Sequence, residues 1–262
     1  MRIFKKYNTY AGRFVLFLTL LQFTACSTTT GLHNTKIEAR KTSITAALPE
    51  TAAIENFIAP YRIHLDKELD SVLTYAPETF DKSKGKWSNP MGNLLAEATI
   101  KRADKRFYAT ENKHIDMCML NHGGIRSIIA KGPVTIRTAF EVMPFENSVK
   151  IVALKGAQIR EMAAYIAREK RAHPLAGITI TLDANDMVKA ISIQDKPLDD
   201  NTIYYVASID YLIGGGDNMA FFATNEGMYD LDYKLRDLYI DYFKETDTLP
   251  ILTTQHIITE QP

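Results

Sequence analysis

Asn121-His122-Gly123-Gly124-Ile125-Arg126 follows directly on an apolar run from Ile115 to Leu120. The run predicts a buried strand, because it is short, apolar at all positions but Asp116, and bounded by a glycine turn. Glycine lets the backbone approach a ligand without a Cβ in the way, and arginine carries a permanent planar charge suited to phosphate or carboxylate. The segment therefore predicts a loop that brings backbone amides and a guanidinium close to a bound molecule.

Two segments further along the chain have a similar composition and extend this prediction. They read Pro144-Phe145-Glu146-Asn147 and Tyr211-Leu212-Ile213-Gly214-Gly215-Gly216-Asp217. Phe145 and Tyr211, from separate loops, can clamp a planar ring, each stacking contact being worth roughly 1–3 kcal/mol. Asp217 can accept two hydrogen bonds from a ribose diol, as acidic residues do in other nucleotide sites. The three segments together predict a site for an aromatic, anionic small molecule.

Asn121 and Arg126 complete the candidate site. An asparagine both donates and accepts, as base edges require, and an arginine forks onto phosphate oxygens. Each residue also has a simpler interpretation. A phenylalanine after a proline is more often part of the core, an aspartate after three glycines is commonly a turn residue, and a lone arginine can be a surface charge. The spacing of the segments favours binding.

The sequence offers no recognisable catalytic or metal centre. Histidines stand at positions 33, 64, 114, 122, 173 and 256, and no two of them have a zinc-like spacing. Neither a Gly-x-Ser-x-Gly elbow nor a Walker A loop occurs. Asn121-His122 resembles the Asn-His step of metallophosphoesterases, but their partner Asp and His motifs are missing. We therefore expect no catalytic residue, metal site or cofactor in this chain.

The apolar periodicity predicts an α+β fold. Helices are expected at 52–75, from Pro90 onward with Asn89 as N-cap, after Thr138, at 157–169 and at 231–243. Strands are expected at 115–120, 134–137, 149–154, 178–182, 188–193, 203–208 and 256–259. Pro60 is expected to kink or split the first helix. Because helices and strands alternate irregularly, with hairpin-like pairs, we predict a mixed β-sheet layered with helices rather than a doubly wound parallel sheet.

The N-terminus predicts export. Arg2, Lys5, Lys6 and Arg13 accompany a short apolar run that ends before Cys26. We interpret residues 1–25 as a lipoprotein-type signal peptide, Cys26 as the lipidation site, 26–49 as a flexible tether and 50–262 as the folded domain. The protein would then be a lipoprotein of the bacterial cell envelope, anchored in a membrane and facing the periplasm. An ordinary signal peptide with a chance cysteine is the alternative.

Net charge and cysteine content argue against a nucleic acid partner and against an internal disulfide. The whole chain is formally neutral, and loss of the four basic residues of the signal leaves 27 basic against 31 acidic side chains, a net charge of −4. This balance argues against a partner that is a nucleic acid polymer. Cys118 would be the single cysteine of the folded domain, so it has no partner for an internal disulfide, and a buried, inert thiol is expected.

The order and spacing of the motifs resemble the C-terminal, substrate-recognition domain of the 5′-nucleotidase and UDP-sugar hydrolase family. The motifs are Asn121 to Arg126, Gly132-x-Val134-Thr135, Pro144-Phe145-x-Asn147, Leu154-Lys155-Gly156, Asp210-Tyr211-Leu212-x-Gly214-Gly215-Gly216-Asp217 and Met91-Gly92-Asn93-Leu94. The resemblance covers about residues 50 to 245. It implies that Phe145 and Tyr211 sandwich a base, that Asp217 binds ribose, and that Asn121 contacts the base and Arg126 a phosphate. Gly123, Gly124, Asn147 and Gly215 are implied as further substrate-binding positions.

Two departures from the family pattern shape the functional hypotheses. The family usually has a further phosphate-facing arginine where this chain reads Lys86-Trp87-Ser88-Asn89. Family enzymes also carry an N-terminal metallophosphoesterase domain with two metal ions, for which this sequence has neither room nor ligands. We therefore expect a nucleotide-recognition domain that works in nucleotide hydrolysis with a separately encoded metallophosphoesterase, which would hold the divalent metals. A lipid-anchored nucleoside- or nucleotide-binding protein without catalysis is the alternative, and a scaffold without a ligand ranks third.

Overall fold

The computed structural model describes residues 10–19, 34–45, 48 and 51–260. Cys26, the predicted lipidation site, lies outside the described residues. Residues 10–19, within the predicted signal peptide, form an exposed helix. Over the described ranges, no helix combines the length and the apolarity needed to cross a membrane. The chain divides into two compact units between Ala52 and Ala53, and the boundaries of signal, tether and domain stay predictions.

Helices and strands alternate irregularly in the larger unit. The helices are α1 (Ala52–Leu69), α2 (Pro90–Glu111), α3 (Ile136–Val142), α4 (Gly156–Glu169), α5 (Asp210–Ile213) and α6 (Leu235–Lys244). The strands are β1 (Val72–Ala76), β2 (Met117–Met119), β3 (Gly132–Thr135), β4 (Ser148–Lys155), β5 (Leu175–Ala176), β6 (Ile178–Leu182), β7 (Val188–Ile193), β8 (Lys196–Pro197), β9 (Ile203–Ile209), β10 (Gly227–Lys234) and β11 (Ile257–Thr259). Short 3₁₀ turns span His122–Gly124, Gly216–Asn218 and Ala220–Phe222.

The main sheet is mixed, as predicted. Its five strands lie in the order β10-β4-β9-β2-β5, with β2 and β9 parallel and the other neighbours antiparallel. A second sheet has the order β11-β6-β7-β8, and β1 pairs with β3. Helix α2 packs against α6 and against the β2 and β5 strands. The α+β prediction is therefore confirmed.

The strand directions bring the three candidate segments to one edge of the main sheet. β2 and β9 run parallel, with Cys118 opposite Ala207, so the chain leaves both strands at the same edge. β4 runs antiparallel to β9, with Val149 opposite Ile209, so β4 begins at that edge. Asn121 follows β2, Asn147 precedes β4 and Tyr211 follows β9, which places all three loops side by side.

Helix α2 begins as the sequence predicts. The Asn89 side chain accepts a hydrogen bond of 2.7 Å from the Gly92 amide, and Pro90 occupies the first helical position, where a missing N–H costs nothing. The helix ends at Glu111, and the C-cap residue Asn112 has a left-handed φ of 53°. Its inner face contributes Met91, Leu94 and other apolar side chains to the core. The local signals at this helix start therefore suffice to place it.

Two predicted helices are shorter in the structure because strand pairing takes up one end of each, and the cap of a third helix differs. The predicted helix 52–75 ends at Leu69, and Val72–Ala76 is the strand β1, whose burial alternates as a strand requires. Pro60 lies inside α1, which continues on both sides of it. The predicted helix 231–243 begins only at Leu235, because the residues before it pair with β4 as β10. Thr135, not Thr138, caps α3, and Thr138 completes the capping box.

Candidate functional site

A cavity of about 340 Å³ opens at the sheet edge where the three loops meet. It is lined by Asn121, Gly123, Gly124, Arg126, Phe145, Asn147, Ile209, Tyr211 and Asp217. The structure thus brings together all the predicted site residues except Gly215, which is not among the lining residues. Ile209, the last residue of β9, was not predicted to line the site. An isoleucine in an apolar strand predicts a core residue, so the sequence does not indicate that it borders the cavity.

The two predicted aromatic side chains are exposed, although both border the cavity. Phe145 is 43% exposed and Tyr211 is 48% exposed. The alternative that Phe145 belongs to the core is therefore wrong. The Arg126 guanidinium carbon lies 5.9 Å from the centroid of the Phe145 ring, within the range of a cation–π contact. The cavity thus presents two accessible rings, with a permanent positive charge beside one of them.

Asp217 connects Asn121, in the loop after β2, with Tyr211, in the loop after β9. Its Oδ2 accepts a hydrogen bond of 2.7 Å from Asn121 Nδ2, and its Oδ1 accepts one of 2.9 Å from the Tyr211 hydroxyl. This bond and the carboxylate charge raise the pKa of Tyr211. Because a carboxylate only accepts, the contact also fixes which end of the Asn121 amide faces it. Each carboxylate oxygen keeps a lone pair for a ligand hydroxyl.

The backbone of Asp217 is held in an uncommon conformation. Its φ of 53° and ψ of 24° are left-handed, which non-glycine residues rarely adopt. The hydroxyl of Tyr165, a buried residue of α4, donates a hydrogen bond of 2.8 Å to the Asp217 carbonyl. Local strain that surrounding contacts maintain is common where a side chain must be presented to a ligand. Tyr165 was not predicted, since nothing in the sequence links it to a residue 52 positions away.

Two glycines of the loop after β9 have separate roles. Gly215 has a φ of +93°, which favours glycine. A Cβ on Gly216 would lie 2.5 Å from the ring atoms Cε1 and Cζ of Tyr211. Gly216, which was not predicted, therefore makes room for the Tyr211 ring, while Gly215 turns the chain without lining the cavity.

Lys82 provides a second positive charge near Arg126. Its Nζ donates to the carbonyl of His122 at 3.1 Å and to the carbonyl of Ile125. Burial, and then the Arg126 charge, lower the pKa of Lys82. Lys86, the predicted substitute for the family's second arginine, is not among the lining residues. Its Nζ instead lies 3.4 Å from Asp186 and over the Trp87 ring.

A buried arginine fixes the loop that carries Phe145. Arg236 donates to the carbonyls of Met143 and Phe145, each at 3.4 Å, and forms an ion pair with Glu146. The ion pair lowers the pKa of Glu146. Arg236 is buried, and its guanidinium lies 4.0 Å from the Phe140 ring centroid. The exposed Phe145 ring thus stands on a rigid support that sequence reasoning missed.

Two histidines, His122 and His173, attach the loop after β2, which carries Asn121, to residues 172–173. The His122 amide donates to Nδ1 of His173 at 3.3 Å, and His122 Nδ1 lies 3.2 Å from the Ala172 carbonyl, to which it must donate. Burial lowers the pKa of His173 to about 4. His173 is therefore neutral at pH 7 and acts as an acceptor that holds the loop.

Acid is expected to destabilise the protein through His173. Its pKa falls from the ordinary histidine value of 6.5 to about 4 in the folded chain, so below pH 6.5 the unfolded state binds more protons than the folded state. Stability is therefore full above pH 6.5 and declines as the pH falls towards 4, by up to about 3 kcal/mol. Urea denaturation at several pH values measures this slope. The His173→Gln variant should lose part of the slope, and an unchanged slope would contradict the assignment.

The remaining features bear on metal and thiol chemistry. Over residues 10–19, 34–45, 48 and 51–260, no group of three or more His, Cys, Asp and Glu side chains is placed to hold a metal ion. Cys118 is buried within β2, and burial raises the pKa of its thiol. The expectation of a buried Cys118 is therefore confirmed, and its inertness stays a prediction.

Comparison with known proteins identifies the family to which the chain belongs. The family model for the 5′-nucleotidase, C-terminal domain, matches residues 71–224. The 5′-nucleotidase of Mus musculus is 28% identical over 207 residues, which cover 66% of this chain and 34% of the relative. Protein UshA of Yersinia enterocolitica is 28% identical over 142 residues, which cover 52% of this chain and 24% of that protein.

A solved structure shows the same fold. The 5′-nucleotidase precursor of Thermus thermophilus superposes with a TM-score of 0.66 at 21% identity, over 82% of this chain and 44% of that one. The chain thus spans less than half the length of each of these relatives. Because the family model covers more than half of its residues, the chain belongs to the family of 5′-nucleotidase C-terminal domains.

Proposed function

We propose that this chain is the nucleotide-recognition component of a 5′-nucleotidase, and that a separately encoded metallophosphoesterase performs the hydrolysis. The observation that carries the proposal is the cavity with two exposed rings, Phe145 and Tyr211, beside a fixed carboxylate. Exposed aromatic side chains on rigid supports are typical of base recognition, since every base presents a π face. A volume of about 340 Å³ falls within the range of small-molecule sites.

Each part of a nucleotide has a counterpart in the cavity. The base lies between Phe145 and Tyr211, and Asn121 contacts its edge. The ribose hydroxyls donate to Asp217, whose carboxylate is held by Asn121 and Tyr211. The phosphate accepts from Arg126, and Lys82 adds positive charge nearby. These contacts to the nucleotide raise the rate of phosphate-ester hydrolysis only when they also position the reacting bond for attack.

The hydrolytic step belongs to the partner in this proposal. In-line attack on a phosphate ester needs a metal-activated water. Among the described residues, no group of three or more His, Cys, Asp and Glu side chains is placed to hold a metal ion. The relatives share with this chain a domain described as C-terminal, and the shared part covers 24%, 34% and 44% of their lengths. A metallophosphoesterase chain would supply the divalent metals that the family resemblance implies.

The proposal is tested by reconstitution. Each metallophosphoesterase chain encoded near this gene is mixed with the purified protein, and release of phosphate from 5′-nucleotides is measured with divalent metal present. The correct partner should gain about tenfold or more in kcat/KM. The Phe145→Ala/Tyr211→Ala variant is the control and should abolish most of the gain. If no metallophosphoesterase hydrolyses 5′-nucleotides faster with this protein than without it, the split enzyme is contradicted. Tight nucleotide binding would then support the alternative function, recognition without catalysis.

We further propose that the protein is a membrane-anchored lipoprotein of the cell envelope, facing the periplasm. The basic N-terminal residues, the apolar run and Cys26 support this proposal. Cells fed an alkyne fatty acid should label the wild-type protein, and Cys26→Ser should abolish the labelling and release the protein from the membrane fraction. Cys118→Ser is the matched control and should keep the label. A labelled Cys26→Ser protein would contradict the anchor.

A further inference from the structure

Helix α1 carries an apolar stripe that the rest of the larger unit, over its described residues 53–260, leaves exposed. The stripe consists of Ile54, Phe57, Ile58, Tyr61 and Leu65, which recur at helical spacing on one face. Phe57 is 71% exposed, and none of the 18 residues of α1 is buried. The rings of Phe57 and Tyr61 lie 5.8 Å apart, so they form one continuous patch. A patch of this kind marks an interaction surface more often than a solvated helix face.

The helix is held at its C-terminal end. Arg137, at the start of α3, binds Asp66 and Asp70 at 2.8 Å each, and the Ile136 amide donates to the Ser71 carbonyl at 3.2 Å. These contacts attach the C-terminal end of α1 to the start of α3. They lie at the opposite end of the helix from Ile54, so they leave the stripe available.

The same contacts connect α1 to the cavity. Helix α3 has seven residues and a length of about 10 Å. Its last residue, Val142, accepts a hydrogen bond of 2.9 Å from the Arg126 amide, and the Phe145 loop follows at once. A folded domain seated on α1 therefore has its surface within reach of the Arg126 end of the cavity, where the proposed phosphate lies.

The charge of α1 favours a protein over an anionic membrane. The helix contains three acidic residues, Glu55, Asp66 and Glu68, and two basic ones, Arg62 and Lys67. Amphipathic helices that bind anionic lipid are instead rich in basic residues. An amphipathic helix of mixed charge suits an apolar groove on a partner, with anchors at successive turns.

The position of α1 in the chain identifies the partner. The family match begins at residue 71, directly after α1, and the matched domain is described as C-terminal. In the longer relatives the remaining polypeptide therefore precedes this point. We infer that the stripe of α1 is the docking surface for the metallophosphoesterase chain, an inference that rests on the proposed function. Docking there would set the catalytic chain against the phosphate end of the cavity.

The test compares two faces of the same helix. Phe57→Ser/Tyr61→Ser removes the centre of the stripe. Ile63→Ser is the matched control, because Ile63 is 70% exposed and lies roughly 200° around the helix from Tyr61. Calorimetry measures binding of the full chain to the metallophosphoesterase whose hydrolysis it stimulates. Nucleotide affinity of each variant is measured in parallel as a check that the domain is folded.

The stripe variant should bind the partner about tenfold more weakly or worse, with nucleotide affinity kept within about twofold, while Ile63→Ser matches the wild type. Wild-type partner binding by the stripe variant would overturn the docking surface and leave the proposed function standing. The docking surface would also be overturned if the stripe variant loses self-association, or sedimentation with phosphatidylglycerol vesicles, and keeps partner binding. Absence of any partner for the wild type would overturn the proposed function and the docking surface together.

Discussion

Nucleoside binding is expected to fall by roughly 5- to 150-fold when either Phe145 or Tyr211 is replaced by alanine, and by more when both are replaced. Both rings are about half exposed at the cavity edge, so their removal should change the ligand contact and leave the core intact. Calorimetric titration with nucleosides and 5′-nucleotides measures the effect. Thermal unfolding should stay close to that of the wild type.

Two control variants separate the ring from other causes. Tyr211→Phe keeps the ring and removes the hydroxyl that donates to Asp217, so it should cost less than Tyr211→Ala. Tyr108→Ala removes an exposed ring on α2 that is not among the residues lining the cavity, so nucleoside binding should not change. Undiminished affinity in both Phe145→Ala and Tyr211→Ala would remove the stacking account.

Asp217→Ala is expected to weaken nucleoside binding by about 10- to 100-fold, because it removes a charged acceptor for the ribose. The variant also leaves the Asn121 amide and the Tyr211 hydroxyl without their present acceptor, which loosens both. Asp217→Asn is the matched variant for the backbone, since asparagine tolerates the left-handed conformation that residue 217 adopts.

The sugar hydroxyls provide the discriminating measurement for Asp217. Wild-type protein should bind a ribonucleoside more tightly than the corresponding 2′,3′-dideoxynucleoside, and the Asp217→Ala variant should bind the two alike. Equal affinities in the wild type, or a preference that survives in Asp217→Ala, would show that the carboxylate does not contact the ribose.

The candidate site was more predictable than the architecture around it. Asn121, Phe145, Tyr211 and Asp217 were predicted because each follows or precedes a recognisable strand in a loop of unusual composition, and the structure brings them to one cavity. The binding role of Gly215 stays a prediction, and its positive φ adds a role in turning the chain that the spacing does not reveal. Spacing identifies which loops meet, whereas the part each glycine plays depends on the backbone.

The supporting residues were missed because they reach the site from distant parts of the sequence. Tyr165 lies 52 residues from Asp217, and Arg236 lies 91 residues from Phe145. Neither has a local signal, since a tyrosine or an arginine on an amphipathic helix is common and carries no information by itself. Contacts of this kind exist only once the helices pack on the sheet.

The strands β1 and β10 were missed for a different reason. Both lie beside helices, and their short apolar patterns fit a continuation of those helices as well as they fit a strand. Pairing of β1 with β3, and of β10 with β4, decides the outcome, and a single sequence does not reveal those pairings. The apolar positions of α1 were correctly predicted as helical. The sequence does not reveal whether they pack against another part of this chain or against a different protein.

A crystal structure of the protein with a bound 5′-nucleotide decides whether the cavity at the end of the main sheet is the nucleotide site. We predict that the base lies between the rings of Phe145 and Tyr211, with the ribose hydroxyls on the Asp217 carboxylate and the phosphate towards Arg126. A nucleotide bound elsewhere on the domain, or a cavity that stays empty at saturating nucleotide, would show that these residues do not form a nucleotide site.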